Sequence, residues 1–168
     1  KGLIKATNSD LGIGFDGDGD RSIIIDEKGE AVWGDKTLSL VSREFLKTHP
    51  GETVATAISS SPSLEKVVAE YGGKVFWTKV GSVLVSRAMV DNGFLLGGEE
   101  NGGIMYGPHL EVRDGCMTLA LMLHYIATRK KSLSELIAEQ PHLFKDKDKT
   151  PCPNEYKVEA LKRLTRKI

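Results

Sequence analysis

Between two short β-branched stretches, Leu11–Phe15 and Ser22–Asp26, the chain reads Asp16-Gly17-Asp18-Gly19-Asp20-Arg21, three carboxylates on alternate residues with glycines between them. This segment cannot lie inside a helix or a packed strand. Glycine lets the backbone curl so that the three acids turn toward one point, and packed carboxylates repel unless a cation or strong hydrogen bonding offsets them. Arg21 supplies one charge against three. Strand, acidic loop, strand is therefore the local expectation, with Asp16, Asp18 and Asp20 as oxygen ligands for a hard divalent cation. Two other readings stand beside it. One is a solvated aspartate-glycine turn. The other is a calcium loop of the EF-hand kind, since Asp16, Asp18, Asp20 and Glu27 fall at its first, third, fifth and twelfth positions, although Arg21 occupies the sixth, where that loop requires glycine.

Beyond the loop the pattern alternates. Lys28-Gly29 marks a turn before a strand at Ala31–Trp33, and Asp35 is read as the cap of a helix carrying Leu38, Val41 and Phe45, which ends near His49-Pro50-Gly51. Thr53–Ile58 is a strand. Ser61-Pro62 opens a helix with Leu64, Val67, Val68 and Tyr71 on one face, stopped by Gly72-Gly73. Val75–Thr78 is a strand, Val83–Val90 a helix, Phe94–Leu96 a strand, Gly97–Gly103 a glycine-rich loop and Ile104–Tyr106 another strand. Cys116–Ala127 is apolar enough to predict a helix buried along much of its girth. Ser132-x-x-Glu135 is a capping box for a helix closed by Pro141, and past a charged segment at Lys145–Lys149 and the stiff Pro151-Cys152-Pro153, Asn154 is read as the cap of a last helix through Lys167. The alternation predicts an α/β fold, a mixed β-sheet layered with helices, with boundaries near Glu30 and near His142.

Bulk properties narrow the function. Lys plus Arg equals Asp plus Glu at 23 each, so no net field recruits nucleic acid or anionic membrane, and an anion site has to be built locally. Cys116 and Cys152 are far apart and form no C-x-x-C pair, which argues against a disulfide scaffold or a thiolate zinc site and fits a reducing cytoplasm. His49, His109, His124 and His142 share no spacing and read as structural or solvent-facing, and the basic face of the last helix (Lys162, Arg163, Arg166, Lys167) reads as solvated.

The aspartate loop resembles the metal loop of the α-phosphohexomutase family, the phosphoglucomutases, phosphomannomutases and phosphoglucosamine mutases. Gly98-Glu99-Glu100-Asn101-Gly102-Gly103 is similar to that family's sugar-recognition loop, with Thr78-Lys79-Val80-Gly81-Ser82 between the two and Arg113-Asp114-Gly115 after them. The resemblance implies that residues 1–30 end the family's second domain, 31–141 form its third and 142–168 begin its fourth. It also implies that the phosphoserine loop and the phosphate-clamping loop lie outside this sequence, so that the chain alone is expected to be inactive. Ser82 stands where many relatives carry histidine or aspartate, and Asn101 where several bacterial members have serine, a variant of archaeal-type sequences.

By the same resemblance, Asp16, Asp18 and Asp20 hold Mg²⁺, Arg21 steadies the transferring phosphoryl group, and Glu99 and Asn101 contact sugar hydroxyls, with Lys79 and Ser82 as further substrate contacts. Arg113 and Asp114 are expected to pair and brace the sugar loop. The implied partners are a hexose phosphate and the remaining domains of the same polypeptide, without nucleic acid or membrane. Phosphoglucosamine mutase activity, a non-catalytic Ca²⁺/Mg²⁺-binding module and a scaffold piece remain as alternatives.

Overall fold

Residues 11–32 fold into a three-stranded antiparallel sheet because two hairpins follow each other. β1 (Leu11–Phe15) pairs with β2 (Ser22–Asp26), and β2 with β3 (Ala31–Val32), in the order β1-β2-β3. Phe15 lies opposite Ser22, so the aspartate loop is the turn of the first hairpin. A short helix, α1 (Gly2–Thr7), precedes it and buries only Ile4. The computed structural model describes residues 1–141, 143, 148 and 150–165. His142, most of the charged Lys145–Lys149 segment, Arg166 and Lys167 lie outside the described residues.

The second sheet has the order β5-β4-β6-β7 and is mixed. β4 (Thr53–Ala57) runs parallel to β5 (Lys74–Thr78) and to β6 (Leu96–Gly98), and β7 (Ile104–Tyr106) closes one edge antiparallel to β6. Its strands alternate between two faces, as a pleated ribbon requires. Val54, Leu96 and Ile104 join one core with Leu38, Val41, Phe45 and Leu46 of α2 (Gly34–Thr48), Leu64 and Val68 of α3 (Ser63–Ala69) and Met122 and Tyr125 of α5 (Gly115–Arg129). Ala55, Ala57 and Met105 face the other way, onto Val85 and Met89 of α4 (Ser82–Asn92). Ile24 and Val32 of the first sheet belong to the α2 core as well, so α2 ties both sheets together. α6 (Leu133–Ala138) adds Leu133 and Leu136 to it.

Several expectations need correction. Asp35 does not cap α2: the helix starts at Gly34 behind an extended Trp33, two residues before the expected cap, and Asp35 accepts from the Lys36 amide at 2.9 Å. The Trp33 carbonyl opens the helix by accepting from the Lys36 and Thr37 amides at 2.9 and 3.1 Å, and the first helical position has to be glycine because a Cβ there would lie 2.1 Å from the Gly102 nitrogen. The sixth strand is Leu96–Gly98 rather than Phe94–Leu96, since the Phe94 amide closes α4 on the Met89 carbonyl. α5 buries only one face, Gly115, Thr118, Met122 and Tyr125, and leaves Leu123 47% exposed, because the elements packed against it, α2, β2 and β7, cover one side. Asn154 opens a single 3₁₀ turn (Asn154–Tyr156) with no side-chain cap, followed by α7 (Lys157–Thr165), which buries nothing. The Ser132–Glu135 capping box forms as read, and Ser61 Oγ accepts from the Ser63 amide at 3.2 Å.

Candidate functional site

The β1–β2 hairpin turn brings one carboxylate oxygen from each of Asp16, Asp18 and Asp20 within 4.8 Å of one another. A cation bonded at 2.0–2.6 Å to two oxygens needs them no more than about 5 Å apart, so the cluster has the right span. The strands on either side exclude EF-hand geometry. Glu27, the twelfth position of that pattern, instead accepts from the Ser134 amide at 3.3 Å and from the Ser134 hydroxyl, at the N-terminus of α6. Arg21 closes the turn: its Nε donates to Asp16 Oδ2 at 2.6 Å and its backbone amide to Asp16 Oδ1 at 3.2 Å. Burial alone would raise the Asp16 carboxyl, but these bonds and the guanidinium charge outweigh it and hold the group below its ordinary value. Among the described residues the two terminal nitrogens of Arg21 make no hydrogen bond.

Asp20 is the member that fits a metal most pointedly. Its Oδ2 is held by Arg113 Nη2, whereas its Oδ1 is buried and accepts no hydrogen bond. That oxygen lies on the Asp16 side, 3.7 Å from the Arg21 Nε that Asp16 engages. A buried carboxylate oxygen without a partner is costly, and a divalent cation satisfies it.

The glycine-rich loop follows β6 at the carboxyl end of the parallel strands, where α/β sheets place their ligand-binding loops. It is folded on itself. The Glu99 amide donates to Gly103 O at 2.9 Å, the Gly102 amide to Glu99 O at 3.2 Å, and the Gly103 amide to Asn101 Oδ1 at 3.1 Å. The Ser22 amide donates to Gly102 O at 3.2 Å, which fastens this loop to the first sheet beside the aspartate loop. Gly102 adopts φ 91°, and a Cβ there would meet Ser22 O at 1.9 Å. Glu99 is 3% exposed, and its Oε2 receives Arg113 Nη1 at 3.2 Å and Asn101 Nδ2 at 3.4 Å.

The structure thus brings Asp16, Asp18, Asp20, Arg21, Glu99 and Asn101 onto one wall. Lys79 and Ser82 sit at the same end of the sheet, where β5 leads into α4, but β4 separates β5 from β6, a gap of about 10 Å at ordinary strand spacing. Among the described residues no hydrogen bond or ion pair joins them to the group.

The expected Arg113–Asp114 pair does not form. Asp114 is extended (φ −143°, ψ 110°), and neighbouring residues of an extended backbone point to opposite sides. Asp114 caps α5 by accepting from the Met117 amide at 2.8 Å and lies 3.4 Å from His109 Nε2, while Arg113 turns to Asp20 and Glu99. The same segment docks the aspartate loop, since the Gly115 amide donates to Gly19 O at 3.1 Å. The expectation that Arg113 braces the glycine-rich loop fits its bond to Glu99, whereas sequence reasoning missed its bridge to Asp20. The signal was an arginine in a short motif downstream of two acidic loops, each in need of a cation.

Known proteins resemble this chain in sequence and in fold. A family profile described as phosphoglucomutase/phosphomannomutase, alpha/beta/alpha domain III, matches residues 33–144. The chain is 40% identical over 147 residues to a phosphoglucomutase/phosphomannomutase of Thermococcus kodakarensis, covering 88% of this chain and 32% of the relative. It is also 40% identical over 161 residues to a phosphoglucosamine/phosphogalactosamine mutase of Sulfurisphaera tokodaii, covering 95% and 35%. The crystal structure of a phosphoglucomutase/phosphomannomutase family protein from Burkholderia thailandensis superposes with a TM-score of 0.76 at 30% identity, covering 84% of this chain and 31% of that one. The chain spans about a third of the length of the relatives it matches. With its aspartate loop and glycine-rich loop joined on one wall and its third-domain profile matched, the chain belongs to the phosphoglucomutase/phosphomannomutase family.

Proposed function

We propose that the polypeptide carrying this chain is a Mg²⁺-dependent phosphosugar mutase of the cytoplasm that moves a phosphoryl group between the 1- and 6-positions of a hexose phosphate through a phosphoserine. In this reading residues 1–30, 31–141 and 142–168 are the end of the second, the third and the start of the fourth domain. The serine is supplied by a part of the polypeptide beyond this sequence. The observation that carries the proposal is the arginine bridge, which sets Asp20 of the aspartate loop and Glu99 of the sugar loop on one guanidinium. The relatives are named for both neutral and amino hexose phosphates, so both belong to the proposed substrate class.

Asp16, Asp18 and Asp20 would hold the ion. Bound there, Mg²⁺ supplies charge neutralisation to phosphoryl oxygens, in a reaction that needs alignment more than covalent help. Arg21 keeps its Nε on Asp16 and offers its terminal nitrogens to phosphate oxygens. Glu99 and Asn101 present an acceptor and an amide to sugar hydroxyls, while Lys79 and Ser82 line the same sheet end as outlying contacts.

The test is an assay of the complete polypeptide with glucose 1-phosphate, mannose 1-phosphate and glucosamine 1-phosphate. Turnover of at least one is expected, abolished by chelation and restored by Mg²⁺, with residues 1–168 alone inactive. Tight Ca²⁺ selectivity without turnover would show a non-catalytic cation-binding module instead.

A further inference from the structure

We infer that Arg113 is a positioning residue that couples the two loops, so that the affinity of the aspartate loop for a divalent cation depends on the charge of Glu99. The inference rests on reading the aspartate loop as a magnesium site. Arg113 offers two prongs of one rigid fork, Nη2 to Asp20 Oδ2 and Nη1 to Glu99 Oε2 at 3.2 Å. Its stem has a made place: a Cβ on Gly103 would stand 2.2 Å from Arg113 Cδ, so glycine there leaves room for it. The Glu99 side chain is only 4% exposed, and Arg113 Nη1 and Asn101 Nδ2 both donate to its Oε2.

The fork turns Asp20. With Oδ2 taken, Oδ1 is the oxygen left facing the Asp16 side without a hydrogen bond. A carboxylate oriented in this way by an outer partner is a better ligand, and loss of such partners typically costs about 10–100-fold in metal affinity. One guanidinium shared by two carboxylates is also a balance. Neutralising Glu99 leaves the whole positive charge on Asp20, where it opposes an incoming cation. A sugar hydroxyl engaging Glu99 would act on the same balance, which links sugar occupancy to the cation site in both directions.

The test is a double-mutant cycle on Mg²⁺ affinity, measured by calorimetry on the complete polypeptide. Glu99→Gln is expected to weaken Mg²⁺ binding about tenfold when Arg113 is present, although Glu99 is not in the aspartate cluster. In the Arg113→Lys background, which keeps the charge but loses the second prong, the same change is expected to shift affinity less than about twofold. Arg113→Ala serves as a further background where it folds. Equal factors in both backgrounds would mean plain Coulombic attraction, and no effect in the presence of Arg113 would mean no coupling; either overturns the inference while leaving the magnesium reading intact. Failure of the unmutated protein to bind Mg²⁺ overturns that reading and the inference with it.

Discussion

The two loops that meet at Arg113 are built on opposite principles. The glycine-rich loop is filled: Gly102 has Ser22 O where a side chain would begin, Gly103 has the Arg113 stem, and backbone hydrogen bonds run both within the loop and out to the first sheet. The aspartate loop is open. Added Cβ atoms at Gly17 and Gly19 meet nothing within 4 Å, Asp18 is exposed, and one buried carboxylate oxygen, Asp20 Oδ1, accepts no hydrogen bond. Packing therefore fixes the main chain of the glycine-rich loop, whereas charge balance governs the aspartate loop, so the proposed coupling through Arg113 acts on side chains while the spine stays put.

The largest effect expected is from Gly102→Ala, where a left-handed φ and a backbone clash combine. A loss of more than about 3 kcal/mol in urea unfolding is predicted, and a loss below about 1 kcal/mol would break the contrast by showing that the filled loop can give way. Next comes Asp18→Asn, which is predicted to weaken Mg²⁺ binding by about tenfold or more, roughly 1.4 kcal/mol, with folding stability unchanged or raised as one of three like charges goes. A stability loss rivalling that of Gly102→Ala would mean that the aspartate loop is packed structure after all.

Glu27→Gln probes the tether between the first sheet and α6. Burial pushes this carboxyl up, but the Ser134 hydroxyl, with amide hydrogen bonds and Ser132, outweighs it and holds the group below its ordinary value of 4.5. A carboxylate depressed in the folded state stabilises above its unfolded value and loses that contribution as pH falls through the folded one. The substitution is therefore predicted to cost about 0.5–1 kcal/mol at pH 7, fading as pH falls through the depressed folded value, as read from urea midpoints followed from neutral to acid pH. Smallest is Gly17→Ala, predicted to stay within about 0.5 kcal/mol in the same unfolding assay, since its φ lies outside the left-handed region and its surroundings are open.

How far the sequence revealed this depends on the kind of force at work. The β1 and β2 strands, the Ser132–Glu135 box and the acidic loop between strands were legible because β-branching, capping and charge act locally. β6 was misplaced because Gly97 and Gly98 look like loop residues; they are strand residues kept small by Met89 Sδ at 2.6 Å and Gly103 O at 3.0 Å from their would-be Cβ atoms. Asp35 looked like a cap for the reason aspartate usually does, but the Trp33 carbonyl takes the first-turn amides two residues earlier, and Gly34, pressed against Gly102, fits that early start. The one-sided burial of α5 depends on which elements cover it, and no periodicity states that. Arg113 and Asp114 were paired because they are adjacent, although an extended backbone sends them apart.

At the meeting of Gly34, Gly102 and Ser22 three lengths of main chain touch with no side chain between them. Such a joint has nothing that can be trimmed or padded, so in this chain the spine of the loop cannot be reshaped by exchanging these residues. Variation is left to the side chains that the spine displays, and a library aimed at new substrates is best spent on Glu100 and Asn101, with the glycines untouched.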